Sequence, residues 1–118
     1  MTTLSTDDVV NRHLACFAKC DLDGVLAAYS PEAVFFVPDG PLKGADTIRS
    51  FFQDLLSEFA KPGSSFTMHQ QYIEGDHAYI LWTAETEDNW YEYATDTFVL
   101  RNGQIVAQSF AAKITPKR

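Results

Sequence analysis

Basic residues are scarce in this sequence, with nine Lys and Arg against sixteen Asp and Glu and a net charge of −7. That removes nucleic acid from the expected partners, because phosphate contact rests on a concentrated Lys/Arg surface. Cysteine is almost absent. Cys16 and Cys20 are the only two, four apart on what reads as one helical face, without the further His or Cys partners that a zinc site takes; they read as reduced core thiols, and no metal is expected. No apolar run approaches the roughly 18 residues of a membrane span. The opening Met1-Thr2-Thr3-Leu4 lacks the basic-then-apolar plan of a signal peptide, so the expected address is the cytoplasm, with no membrane partner. There is no phosphate loop or nucleotide fingerprint, and no cofactor is expected.

What is present is apolar material. The chain has 118 residues, 46% hydrophobic and 14% aromatic, enough for one domain over 1–118 with a packed interior and a lined cavity. Thr6 before Asp7-Asp8 marks a helix start, and Val10, His13, Leu14 and Phe17 repeat at the spacing of one buried stripe. Asp21 can cap a second short helix in which Leu22, Val25, Leu26 and Tyr29 share a face before Ser30-Pro31 ends it. Ala33 to Val37 reads as a short strand stopped by the turn Pro38-Asp39-Gly40-Pro41. Gly44 to Phe59 carries Ile48, Phe51, Phe52, Leu55 and Phe59 at helical spacing. From Phe66 the period becomes two, and turns at Glu74-Gly75-Asp76, Glu87-Asp88-Asn89 and Asn102-Gly103 divide the rest into four strands. Three helices followed by an antiparallel meander is an α+β plan with the helices on one sheet face.

Two positions interrupt otherwise apolar rows. On the strand Trp90 to Arg101, Asp96 shares a face with Ala94, Phe98 and Leu100, so it must be hydrogen-bonded, protonated or set at a cavity wall. His13 poses the same question on the first helix, and a helix laid across the concave face would aim it at the central strands. A His–Asp pair at a pocket wall is an acid/base unit, and Tyr29 could add a third polar tip. On the strand that follows the Glu74-Gly75-Asp76 turn, Tyr79, Leu81 and Thr83 alternate with Ile80, Trp82 and Ala84, and neither set is polar. The helices can cover one set only. The other, taken as Ile80 and Trp82 on the outer face, predicts a symmetric homodimer.

The runs Val9-Val10-Asn11-Arg12-His13 to Asp21-Leu22-Asp23-Gly24-Val25 and Thr95-Asp96-Thr97-Phe98-Val99-Leu100-Arg101-Asn102-Gly103 resemble bacterial ketosteroid isomerase. The segment Pro38 to Gly44 and the order of elements resemble the SnoaL-like branch of the nuclear-transport-factor-2-like superfamily. The resemblance implies a cone, a curved and mostly antiparallel sheet with three helices enclosing a pocket for a small, mainly apolar molecule, often in a dimer. By the same resemblance Asp96 falls at a substrate-binding carboxylic acid and Tyr29 at a pocket aromatic. His13 replaces an oxyanion-binding tyrosine, Phe52 a supporting tyrosine, and Val37 the catalytic base. Val37 cannot accept a proton, so steroid isomerisation by the family route is not expected.

The expected function is therefore binding of a small apolar molecule bearing a carbonyl or hydroxyl. If catalysis accompanies it, the chemistry is cofactor-free proton shuffling (isomerisation, dehydration or aldol-type cyclisation) by His13, Asp96 and Tyr29; the alternative is a binding or association module without chemistry. Phe17, Val37, Phe52, Tyr79, Leu81, Phe98, Gln108 and Phe110 are the expected pocket lining. The last hairpin admits two registers. A two-residue Asn102-Gly103 turn puts Asp96 opposite Ser109, and a three-residue loop puts it opposite Gln108 with Phe110 beside Ala94. The three-residue loop is the expectation, because it sets Gln108, Phe110 and Ala112 on the pocket face; pairing of Leu100 with Ile105 would contradict it. No role is assigned to Asp39 beyond the turn, or to His69.

Overall fold

A computed structural model describes residues 5–117. The helices α1 (Thr6–Ala18), α2 (Leu22–Leu26) and α3 (Ala45–Phe59) accompany six strands: β1 (Tyr29–Val37), β2 (Gly40–Lys43), β3 (Ser65–Glu74), β4 (His77–Glu85), β5 (Asn89–Arg101) and β6 (Gln104–Pro116). The strands form one open sheet in the order β2-β1-β6-β5-β4-β3. Only the β1–β6 pair is parallel. The α+β plan of three helices on a curved, mostly antiparallel sheet is thus the observed one.

Local chemistry sets the element ends. Ser5, one residue before the expected Thr6, caps α1 by accepting from the Asp8 amide, and Asp21 caps α2 through the Gly24 amide. α2 is shorter than its stripe predicts: it stops at Leu26, and Tyr29-Ser30-Pro31 already belongs to β1. Proline is tolerated there because the β1–β6 register is irregular between Tyr29 and Val34. The Pro38-Asp39 turn leads into β2, so β1 and β2 form a hairpin that the apolar pattern did not show.

Three extra residues bend the sheet. His69 is inserted on β3, Glu92 on β5 and Val106 on β6, each shifting the pairing by one. The last shift resolves the final hairpin differently from either expectation. Arg101 pairs with Gln104 and Leu100 with Ile105 around a two-residue turn with Asn102 at φ 53° and Gly103 at φ 76°, the left-handed pair of a type I′ turn. The expected three-residue loop is therefore wrong. The bulge at Val106 then restores the face, setting Asp96 opposite Phe110 and Phe98 opposite Gln108.

The bulge at Glu92 decides the face of β4. Ala84 pairs with Tyr91, but beyond the inserted residue Trp82 meets Ala94 and Ile80 meets Asp96. Directly paired residues share a face, so Ile80 and Trp82 turn inward, where they are 2% and 4% exposed. They cannot form the outer dimer face. Tyr79 and Leu81 take that side instead, beside the exposed Tyr72 and Tyr93. Glu58 on α3 fixes the β4–β5 turn by accepting from Thr86 Oγ1 at 2.6 Å, Asn89 Nδ2 at 2.9 Å and Tyr91 Oη at 3.0 Å.

The core lies between the helices and the concave face. One buried group joins Val9 and Val10 to Ile80, Trp82, Ala94 and Phe98; a second joins Val25, Phe35, Ile48 and Phe52. Tyr29, Leu55 and Phe110 pack against both. Among the described residues no helix is long and apolar enough to cross a membrane.

Candidate functional site

The α1 stripe delivers His13 to the junction of the two groups, 3% exposed. Its ring meets Tyr29, Phe52 and Phe98 edge-on, with centroids 5.4, 6.0 and 5.7 Å away. Nδ1 lies 3.2 Å from the Val25 carbonyl oxygen. A carbonyl only accepts, so Nδ1 carries the hydrogen and Nε2 keeps its lone pair. Burial pushes the imidazole down to about 4, the bond to Val25 acting weakly the other way. His13 is neutral at pH 7 and an acceptor through Nε2.

Asp96 on β5 is 7% exposed and both of its oxygens are engaged. Trp82 Nε1 donates to Oδ2 at 2.9 Å, and Gln108 Nε2 donates to Oδ1 at 2.9 Å. The Tyr29 hydroxyl donates in turn to Gln108 Oε1, which fixes the orientation of that amide. Two N–H donors stabilise the charged carboxylate, while burial, the larger effect, raises it to about 6. The group is thus a stronger base than a solvated aspartate and is ionised over most molecules at pH 7. Burial and then the Asp96 charge raise the Tyr29 phenol well above its ordinary value, so Tyr29 remains a donor.

His13, Trp82, Asp96 and Gln108 line one cavity whose remaining wall is Leu14, Leu55, Ile80 and the rings of Phe17, Phe35, Phe51, Phe52, Phe66, Phe98 and Phe110. Its open room is about 40 Å³, enough for a few water-sized groups. The expected Phe17, Phe52, Phe98, Gln108 and Phe110 are all on this wall. Tyr29 stands behind it, joined through Gln108. Three expected lining residues are elsewhere: Val37 packs half-buried in the second core group, and Tyr79 and Leu81 occupy the opposite sheet face. Asp39 is exposed in the β1–β2 turn and His69 is the β3 bulge, bonded to Thr83 Oγ1 at 2.8 Å.

His13 and Asp96 therefore reach the same cavity without a hydrogen bond to one another. The partner that sequence reasoning missed is Trp82, assigned to the outer face because β4 alternates two apolar sets. Its indole N–H was the available signal, since a buried tryptophan wants an acceptor. Among the described residues, no three His, Cys, Asp or Glu side chains converge to hold a metal ion.

Residues 10–108 match the family model of the SnoaL-like domain. No curated protein matches the chain. Among solved structures, a nuclear-transport-factor-2-like protein of unknown function from Burkholderia pseudomallei superposes with a TM-score of 0.78 at 19% identity, covering 92% of this chain and 90% of that one. TerC, co-crystallised with polyporic acid, gives 0.76 at 15% identity, over 92% and 91%. AclR, a putative hydroxylase from Streptomyces galilaeus, gives 0.75 at 15% identity, over 92% and 88%. At such identities the likeness is one of fold.

Proposed function

The chain belongs to the SnoaL-like domain family, whose fold commonly binds small molecules and includes some enzymes, and from that premise we propose that it binds a small, mainly apolar organic molecule against Asp96. The observation that carries this is a carboxylate held by Trp82 and Gln108 at the polar end of an aromatic-walled cavity. Apolar walls with a few convergent polar groups are the usual make-up of a small-molecule site. The chemistry this arrangement favours is proton transfer without a cofactor: Asp96 takes a proton from the ligand, Gln108 and Trp82 hold the carboxylate, and Tyr29 positions Gln108. His13, neutral and without an N–H to spare, serves as a second acceptor and not as an acid. A binding protein without chemistry is the second reading. It is favoured by Val37, which stands where the resemblance implies a base and lies off the cavity wall. A cytoplasmic homodimer is part of the proposal, with the outer face now carried by Tyr72, Tyr79, Leu81 and Tyr93.

The test uses Trp90→Phe, which leaves Trp82 as the sole tryptophan. Its fluorescence is titrated with one- and two-ring aromatic compounds, and failure of every compound to perturb it would remove the binding reading. Deuterium exchange at an acidic C–H of a bound ligand, present in the wild type and lost in Asp96→Asn, separates enzyme from binder.

A further inference from the structure

A second cavity of about 220 Å³ lies beyond the first, lined by Leu14, Phe17, Ala18, Cys20, Phe59 and Phe66 with Ser64 and Ser65 at its edge. The two share Leu14, Phe17 and Phe66. Phe17 and Phe66 stand with centroids 6.3 Å apart, and Phe66 is 39% exposed, so one side of this shared wall has room to swing. The inner room, about 40 Å³, holds a polar head but not the body of an organic molecule.

The inner end also has a chemical bias. The Trp82 N–H and one Gln108 N–H are spent on Asp96, and the Tyr29 hydroxyl is spent on Gln108. What the wall offers a ligand is mainly acceptor: the remaining lone pairs of Asp96 and the imidazole of His13, whose one N–H is spent on Val25. The one donor hydrogen left over is the second N–H of Gln108. A carbonyl brought here would set its lone pairs against those still open on the carboxylate, whereas a hydroxyl donates to one of them.

Resting on the pocket reading above, we propose that the two cavities form one bipartite site for a hydroxyl-headed apolar molecule, its O–H donated to Asp96 and its body passing between Phe17 and Phe66 into the chamber beside Cys20. The class is that of phenols and enols carrying an apolar substituent. Catalysis is not required for this assignment.

The experiment compares para-hexylphenol, its methyl ether and para-hexylacetophenone by calorimetry on the wild-type protein and on Asp96→Asn. A charge-assisted hydrogen bond predicts about tenfold or tighter binding of the phenol than of the ether. In Asp96→Asn, which can donate, that advantage shrinks and the ketone gains. A ketone or ether that binds the wild type as well as the phenol overturns the head-group assignment while leaving an apolar pocket in place. Alkylation of Cys20, separated from Cys16 by peptide mass spectrometry, reads the outer chamber: saturating para-hexylphenol slows it and saturating phenol does not. Equal protection by both, or by neither, overturns the bipartite site. Absence of binding by all three compounds overturns this inference together with the reading on which it rests.

Discussion

The indole N–H of Trp82 and the Oδ2 of Asp96 meet at 2.9 Å across the β4–β5 pair, both side chains at least nine-tenths buried. The contact exists because Glu92 is bulged out of the ladder and not paired within it, which sets Ile80 opposite Asp96 and Trp82, two residues on, on the same face. It gives the carboxylate one of its two donors and makes its charge tolerable in an aromatic surround.

Trp82→Phe keeps an aromatic ring and removes that donor. The Asp96 carboxyl then rises above its present value of about 6, and the protein loses on the order of 2 kcal/mol near neutral pH, where the unpaired oxygen is charged. The loss shrinks in acid, where protonation removes the charge. Urea unfolding of wild type and variant at a neutral and an acidic pH measures this, and an equal loss at both would mean that the indole acts through packing alone.

Asp96 and His13 pull stability in opposite directions with pH. The Asp96 carboxyl moves from 3.8 up to about 6 on folding, so its ionisation costs stability above the folded value, and that cost disappears as pH falls from 6 toward 4. The His13 imidazole moves from 6.5 down to about 4, so its stabilisation is complete above 6.5 and is lost as pH falls through the same window. Each swing is on the order of 3 kcal/mol, and in the wild type they largely cancel. Asp96→Asn therefore loses more stability than wild type on acidification, and His13→Gln loses less. Denaturation profiles of both variants that run parallel to wild type would sink this account.

These two residues were also the most legible part of the site. A carboxylate and an imidazole on apolar rows are visible because helix and strand periods are local, and the same periods revealed the three helices and the last four strands. Legibility ended where a single inserted residue changes a face. Strict alternation back from the β4–β5 turn would set Tyr79, not Ile80, opposite Asp96, and two alternating apolar sets give no local sign of the inserted residue, so the expected outer set, Ile80 and Trp82, is the inner one. The Val106 bulge had the opposite effect: the turn type was misjudged, yet Gln108 and Phe110 still reached the cavity. Tyr29 read as helical because its apolar spacing continues that of Val25 and Leu26, and only pairing with Ile105 on a strand far along the chain draws it into β1.

The outer face now predicts the assembly. Tyr72 and Tyr79 stack with ring centroids 6.2 Å apart, Tyr72 and Tyr93 are 57% and 54% exposed, and Leu81 lies on the same side. An apolar and aromatic sheet face of this kind fits a self-complementary contact. Leu81→Glu with Tyr93→Glu should convert a dimer to a folded monomer in analytical ultracentrifugation. Trp82→Glu should unfold the chain instead, because it buries a second carboxylate beside Asp96. A wild type that sediments as a monomer at all concentrations would end the proposal.

Glu92 offers the sharpest test of how the site is built, because its insertion is shared by both neighbours. On either side of it Tyr91 pairs with Ala84 and Ile114, and Tyr93 pairs with Lys113. Deleting Glu92 alone thus leaves a regular ladder in which Ala94 still meets Trp82 and Asp96 still meets Ile80. The side chain itself gives up only a surface bond from Thr115 Oγ1. What the deletion removes is local bend and twist, and with it the curvature that wraps β5 around the cavity. The variant should therefore fold with the Ile80–Asp96 and Trp82–Ala94 pairs intact, visible as cross-strand nuclear Overhauser effects, while affinity for apolar ligands falls. If the deletion instead moves Tyr79 opposite Asp96, neither the Ala84–Tyr91 pair beside the β4–β5 turn nor the packing of Trp82 and Ile80 under α1 holds the register. Retained pairs with undiminished affinity would show that the bulge is not what shapes the pocket.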